Sequence, residues 1–355
     1  MQSLNEKTWG AVQVDSFADV MSGKDIYASE RVDGERPYVT AGTANNGIGY
    51  FVGNDNNSVD SHVISVNRNG AVGEAFFHPY KALFGNDCRR LKVRESVADD
   101  AQQFMAVAIK EQKGAFSYSR KLGTGRLQRL SVMLPVTDSG EPDYAYMAEY
   151  VQQKRNAMLA KYRTYVEARI AELGEVAEIP ALDEKEWKEF RIGELFEVSR
   201  PKARNKDDYD MGDIPFVASG AMNNGVMKCC KTCEGEQLDA GNCITVSPVD
   251  GSSFYQPMDF LGRGGAGSSI LMLRNNGLNL FRGEFMARMI QQTCSKYNYG
   301  HMGNKDSIKR ERVMLPIDED GKPDYAYMEQ YAKNMMLRKY RQYLAYLDRQ
   351  KQWQE

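Results

Sequence analysis

LPVTDSGEPDYAYMAEY, residues 134 to 150, returns as LPIDEDGKPDYAYMEQY at residues 315 to 331. The shift is 181 residues, about half of the 355-residue chain. Each copy closes an apolar strand, turns at a glycine and starts a helix, because Pro142 or Pro323 forbids helix before that point. Farther out, Trp9 pairs with Trp187, AGTANNG (41–47) with SGAMNNG (219–225), and MLAKYRTY from Met158 with MLRKYRQY from Met336, all at a shift of 178. Such a unit is far longer than the roughly 20 to 50 residues of a solenoid repeat. It predicts two similar domains in tandem, each followed by a helix.

From Tyr144 the apolar residues fall at three- and four-residue steps: Met147, Val151, Met158, Tyr162, Tyr165, Val166, Ile170 and Leu173. The second copy has Met328, Tyr331, Met335, Tyr340, Leu344 and Leu347. Each helix is expected to run about 28 residues, on the order of 40 Å. Antiparallel packing of the two would cover both stripes. The expected organisation is a globule over 1–143, a helix over 144–173, a linker over 174–186, a second globule over 187–324 and a second helix over 325–355.

Within each globule, short apolar runs alternate with Asn and Gly turn signals, as in PYVTAGTANNGIGYFV and SHVISVNRNG, which predicts strands and tight turns. Helices are expected over Asp99–Glu111 and Phe281–Thr293, and a buried VMLPV or VMLPI strand leads to each proline turn. The fold class is therefore α+β, a mixed globule with a strongly bent sheet in each half. A composition of 42% hydrophobic and 26% charged residues is ordinary for a globular protein. The start, MQSLNEKTW, reads as neither a basic leader nor an apolar stretch, and no apolar run approaches ~18 residues, so a cytoplasmic location without membrane contact is expected.

The formal net charge of −2 gives no whole-molecule attraction to an anionic partner. Charge is nevertheless uneven. Residues 110–129 hold six basic side chains (110, 113, 120, 121, 126, 129) against Glu111, and residues 296–312 hold five (296, 305, 309, 310, 312) against Asp306 and Glu311. Five of the six cysteines (88, 229, 230, 233, 243, 294) lie in the second half, which fits reduced thiols better than a disulfide framework repeated between the copies. Cys229, Cys230, Cys233 and Cys243 raise zinc as an alternative, but the spacing lacks two C-x2-C knuckles and the first copy has no such cysteines, so no metal is expected.

The chain resembles the DNA-specificity (S) subunits of multisubunit restriction-modification systems. The resemblance is carried by the early Trp with RIGELFEV, the PFVASGAMNNG turn, the segments FSYSRKLGTGRLQRLSVMLPV and YNYGHMGNKDSIKRERVMLPI, and the DYAYM helix starts. Short helices and LP-x4-G-x-PDY junctions are more similar to type IIB systems than to ordinary type I systems. The resemblance implies that each globule is a target-recognition domain reading one half of a bipartite double-stranded DNA site, with the helices as spacers that act as a ruler. It also implies a separate methyltransferase or endonuclease subunit, two per specificity subunit, that carries the chemistry with S-adenosylmethionine and Mg2+. The two copies differ at Phe116-Ser117-Tyr118-Ser119-Arg120 and Tyr297-Asn298-Tyr299-Gly300-His301, which implies an asymmetric site.

Lys113, Tyr118, Arg120, Lys121 and Arg126 of the first basic loop, and Lys296, Tyr299, His301, Lys305 and Lys309 of the second, are then the candidate DNA contacts. Arg and Lys bond phosphate oxygens or the O6/N7 edge of guanine, and Tyr bonds phosphate. The bland reading is a solvated loop with Tyr118 and Tyr299 in the core. Asn45, Asn46, Asn223 and Asn224 read first as turn residues, with amide pairing to adenine as the alternative, and Arg68 and Arg263 stand beside them as further candidates. GRGGAG around Arg263 is not a phosphate loop, because no helix-forming stretch follows it.

The helix cations Lys154, Arg155, Lys161, Arg163, Lys333, Arg338, Lys339 and Arg341 suit either a solvated face or a docking face for the catalytic partner. Two rivals remain: a degenerate nuclease or methyltransferase, for which no N-P-P-Y tetrapeptide or nucleophile motif is present, and a tandem-domain scaffold that binds protein without DNA.

Overall fold

The computed structural model describes side chains over residues 2–265 and 269–349 and backbone to 352. The chain divides into two compact units, the first ending at Tyr162 and the second beginning at Arg163. The first contains β1 (Trp9–Gln13), α1 (Val14–Phe17), β2 (Ala18–Ser22), β3 (Asp33–Val39), β4 (Ile48–Val52), β5 (Val63–Asn67), β6 (Ala75–His78), β7 (Leu83–Phe84), β8 (Cys88–Val93), α2 (Asp99–Lys110), α3 (Thr124–Gln128) and β9 (Ser131–Pro135). The helix α4 (Tyr144–Leu173) follows. The second repeat has β10 (Trp187–Arg191), α5 (Ile192–Leu195), β11 (Glu197–Ser199), β12 (Met211–Val217), β13 (Val226–Cys230), β14 (Cys243–Val246), β15 (Ser253–Gln256), β16 (Leu261–Gly262), β17 (Leu271–Arg274), α6 (Leu280–Cys294), α7 (Lys305–Arg310), β18 (Arg312–Pro316) and α8 (Tyr325–Gln352).

Both repeats build the same sheets. A four-stranded antiparallel sheet runs β2-β8-β5-β6 or β11-β17-β14-β15, a mixed three-stranded sheet runs β4-β3-β7 or β13-β12-β16, and a ribbon pairs β1 with β9 or β10 with β18. The single bent sheet expected from sequence is thus broken into pieces. The break has a local cause: β7 ends after two residues and the chain turns at Gly85, whose carbonyl accepts from the Cys88 amide at 3.0 Å, to enter the other sheet as β8.

Helix α2 packs on the larger sheet because Ala101, Met105, Ala106 and Ile109 share one face, which is buried against Ile64, Val66 and Leu91. Its first turn carries Asp99 and Asp100 and its last Lys110, matching the helix dipole. In the second repeat Phe285, Met286 and Ile290 of α6 do the same against Ile244, Val246 and Leu273. The strands β9 and β18 are half-buried rather than buried: Val132 and Leu134 point inward while Met133 is exposed, with the same alternation at Val313, Met314 and Leu315.

Each long helix begins at a clasp. Asp143 accepts the Tyr146 amide at 3.0 Å and the Lys7 ammonium at 2.7 Å, while the Tyr146 hydroxyl donates to the Gln2 carbonyl at 3.0 Å. Asp324 accepts the Tyr327 amide at 2.9 Å and the Lys185 ammonium at 2.8 Å, and the Tyr327 hydroxyl donates to the Pro180 carbonyl at 3.0 Å. Partial burial opposes ionisation of both carboxyls, but the lysine and amide hydrogen bonds outweigh it and hold both below the ordinary carboxylate range.

Inside the second unit the end of α4 runs antiparallel to α8. Arg163 reaches Asp348 at 2.6 Å, Arg169 bonds Tyr340, and the Asn334 amide exchanges hydrogen bonds with the Ala177 backbone at 2.8 and 3.1 Å. The stripe expected on α4 is only partly a core: Met147 and Val166 are buried, whereas Met158 is 72% exposed and Tyr162 and Tyr165 are exposed too. Met158 instead lines an open apolar groove of about 690 Å³ with Trp9, Phe104, Val107 and Tyr150. A charge at Met158 is therefore expected to cost less stability than one at a buried position such as Met147.

Replacing Asp143 and Asp324 with Ala should cost about 1 kcal/mol or more each, since a helix cap and a lysine partner are lost together. Because the folded carboxyls titrate below their unfolded value of ~3.9, their contribution is full above that pH and is lost as pH falls through the folded value. Denaturant titrations at pH 7 and pH 3 should show the gap between wild type and an Asp143→Asn, Asp324→Asn variant closing at the lower pH; a constant gap would mean the charges do not contribute.

Candidate nucleic-acid interface

Three loops meet in the first repeat, and their counterparts recur in the second. In the first, the 41–47 turn returns at Asn45, Asn46 and Gly47, with φ of 50°, 52° and 76°, and the Gly47 carbonyl accepts the Thr40 amide at 2.7 Å. In the second, Asn223, Asn224 and Gly225 have φ of 50°, 53° and 73°. Asn tolerates this left-handed conformation better than other non-glycine residues. The four exposed asparagines thus hold the turns, and their amides lie at the surface.

The 68–73 loop lies against both neighbours: the Ala71 amide bonds the Ala41 carbonyl at 3.4 Å, and a Cβ on Gly73 would meet the Lys113 Cβ at 2.8 Å. Lys113 is tied down, sharing Glu74 with Lys110 at 2.9 and 2.8 Å. Burial would raise the Glu74 carboxyl, but the two lysines hold it below its usual range. Arg68 is likewise committed to Asp87 at 3.0 Å. In the second repeat the Gly303 amide bonds the Pro248 carbonyl at 2.7 Å, joining two of the corresponding loops, while the 219–225 turn is held by β15, whose Gln256 amide bonds the Asn224 carbonyl at 3.0 Å. There Lys296 pairs with Glu311 at 2.6 Å, and Arg263 is half-buried with its backbone bonded to Val217 and Ile270. The GRGGAG tail at Ala266–Gly267 lies outside the described residues.

The basic loops carry the closest correspondence. Phe116 is packed against the first core and Tyr297 is buried in the second, where it donates to Glu311 at 2.6 Å. Burial, then that hydrogen bond, push the Tyr297 phenol up to about 12, so it stays protonated as an anchor. Two residues on, Tyr118 and Tyr299 are 73% and 85% exposed, so neither belongs to a core. Both tips make the same reciprocal backbone pair: Ser117 with Arg120 at 3.3 and 3.0 Å, and Asn298 with His301 at 3.2 and 3.0 Å. The Arg120 guanidinium lies 5.8 Å over the Phe116 ring, and the His301 ring stacks 5.7 Å from that of Tyr297. Lys121 sits 4.6 Å over the Tyr118 ring.

Behind the tips, α3 is fixed by Arg89, which donates to Thr124 at 2.7 Å, and Arg126 donates to the Lys121 carbonyl at 2.7 Å. Helix α7 is fixed by an Asn304 and Ser307 capping box, leaving Lys305 exposed and Lys309 half-buried beside Gly193. One feature of the first repeat escaped sequence reasoning: Arg31 lies 3.8 Å over the Tyr50 ring near exposed Phe51. Its only signal was the aromatic pair in IGYFV. Of the four clustered cysteines, Cys230 and Cys243 are buried, burial raises both thiols (Cys243 to about 11), and no group of three or more His, Cys, Asp or Glu side chains gathers among the described residues. Of the helix cations, Arg155 pairs with Asp100, Arg163 with Asp348 and Lys333 with Glu329.

The family described as the type I restriction modification DNA specificity domain matches the chain twice, over residues 6–161 and 184–343. The chain belongs to this family. Each match takes in all three loops of one repeat, so the specificity domain occurs as a tandem pair. The specificity subunit S.BcgI of a type II restriction enzyme from Heyndrickxia coagulans is 33% identical over 162 residues, 45% of this chain and 48% of that protein. The match thus spans about half the length of the curated relative. Among solved structures, the S subunit of a type I restriction-modification system from M. genitalium has a TM-score of 0.49 at 13% identity, covering 98% of this chain and 95% of that one. The HsdS subunit from Thermoanaerobacter tengcongensis has a TM-score of 0.30 at 13% identity, over 96% and 91% of the two chains.

The left-handed turns make a stability prediction for the specificity domains. Asn46→Val and Asn224→Val should each cost roughly 1–2 kcal/mol, while Asn46→Gly and Asn224→Gly stay close to wild type. Thermal unfolding of the four variants checks this; equal losses for Val and Gly would mean that the amides, not the backbone angles, hold the turns.

Proposed function

We propose that this chain is the non-catalytic DNA-recognition subunit of a cytoplasmic restriction-modification complex of the type I or type IIB kind. Each repeat reads one half of a bipartite, asymmetric site in double-stranded DNA. The observation that carries this reading is the pair of matched loop tips, each presenting an exposed tyrosine on an anchored turn within a basic segment. Methylation and cleavage belong to a partner, for which two copies per specificity subunit and a need for S-adenosylmethionine and Mg2+ are the expectation. Among the described residues no helix is long and apolar enough to cross a membrane. The proposed domains are recognition domains over 1–143 and 187–324, spacer helices over 144–173 and 325–355, and a linker over 174–186.

Tyr118, Arg120, Lys121, Arg126, Tyr299, His301, Lys305 and Lys309 are the proposed contacts at the tips and the helices behind them. Asn45, Asn46, Asn223 and Asn224 flank them, while Lys113, Lys296, Arg68 and Arg263 act mainly by holding the loops. Arg120→Ala with Lys121→Ala should weaken DNA binding by the assembled complex, and should lower its salt slope by ~0.9 for each of the two that meets a phosphate rather than a base edge. Unchanged affinity and slope would place the recognition surface elsewhere, and a complex without DNA affinity would favour the scaffold reading.

The spacer helices supply a second test. Four residues inserted after Ala157 lengthen α4 by about 6 Å, against ~3.4 Å per base pair. Methylation mapping should show the spacer longer by one or two base pairs with both half-sites unchanged; an active variant with the original spacer would mean that another element sets the distance.

A further inference from the structure

The two tips share a backbone and differ in chemistry. At the shift of 181 residues, Arg120-Lys121 corresponds to His301-Met302. The reciprocal hydrogen bonds at 117 and 120 match those at 298 and 301, and residue 120 covers residue 116 as 301 covers 297. Among the described residues no ion pair engages Arg120 or Lys121, although the neighbouring Lys110 and Lys113 both engage Glu74. In the second repeat Met302, three residues after Tyr299, is 57% exposed, and Met222 of the 219–225 turn is exposed as well. A large apolar side chain held in water at the end of a fixed turn gains free energy only when something apolar covers it. In the major groove the apolar group on offer is the thymine methyl, whereas an unpaired Arg or Lys matches the O6/N7 edge of guanine.

We infer that residues 120–121 and 301–302 are the interchangeable specificity determinants, the first tip selecting a guanine and the second a thymine in their respective half-sites. This rests on the proposal that the tips contact DNA. Because the two turns hydrogen-bond alike, the side chains are exchangeable without rebuilding the loops, and the anchors Phe116 and Tyr297 stay in place.

The test is methylation mapping in cells carrying the full complex with Arg120→His and Lys121→Met, or with His301→Arg and Met302→Lys. The first variant should lose its preference for one guanine in the first half-site by about tenfold or more, with the second half-site unchanged; the second should lose preference for a thymine in the second half-site only. A third variant, Met302→Ala, should relax that thymine alone. If the swaps alter affinity and salt slope while both half-sites keep their sequence, the tips touch phosphate and the inference is wrong though the recognition surface stands. If neither affinity, salt slope nor sequence changes, the tips do not touch DNA and the underlying proposal falls with it. Circular dichroism of each purified complex separates misfolding from lost recognition.

Discussion

One constraint organises each half of the chain: an aspartate that must cap a long helix and hold a partly buried lysine at the same time. Asp143 and Asp324 each accept a backbone amide from the first helical turn and an ammonium from a segment more than a hundred residues earlier. That double duty fixes three things together. It sets where the helix starts, it draws the leading segment beneath the helix, where Trp9 and Trp187 donate to the carbonyls of Leu4 and Leu182, and it sets the β1–β9 and β10–β18 ribbons between them. The ribbon then carries the basic loop on its far end, since α3 and α7 lead directly into β9 and β18. Placement of the loop tips thus follows from a polar contact at the opposite end of the same strand.

Much of this was legible because the sequence states it twice. The proline turn, the helix start and the asparagine turns obey local rules, and each was read at the correct residues: α4 and α8 begin at Tyr144 and Tyr325, and the NNG steps occupy the left-handed region. What was not legible depends on partners distant in the chain. Met158 has the spacing of a core residue but faces an open groove, because periodicity reports which side of a helix is apolar and not whether another element reaches it. The sheet break at Gly85 was missed for a similar reason, since a two-residue strand leaves no alternation to detect.

The candidate site was half legible. Composition located both basic loops, yet could not separate cations that build the loops from those they present. Lys113 and Lys296 look like Arg120 and Lys121 in sequence, but Glu74 and Glu311 claim them. Arg68 is held by Asp87 in the same way. The aromatic residues divide along the same line: Phe116 packs half-buried against the first core and Tyr297 is buried in the second, while Tyr118 and Tyr299, two positions on, stand in solvent. An alternation of anchor and display within a few residues is a tertiary property, set by what the turn leans against.

The near-zero net charge now has a structural meaning. Acidic side chains neutralise most of the cations that shape the loops, so the field of the whole molecule is small and little affinity for arbitrary phosphate backbone is expected from it. For a recognition subunit this arrangement raises the ratio of specific to non-specific binding, because the non-specific term is almost wholly electrostatic whereas base-edge contacts act only when the sequence is right. A fully cationic loop would bind DNA more tightly and discriminate less. If the tips read DNA as proposed, internal ion pairing of Lys110, Lys113 and Lys296 serves specificity as much as the residues left at the tips do.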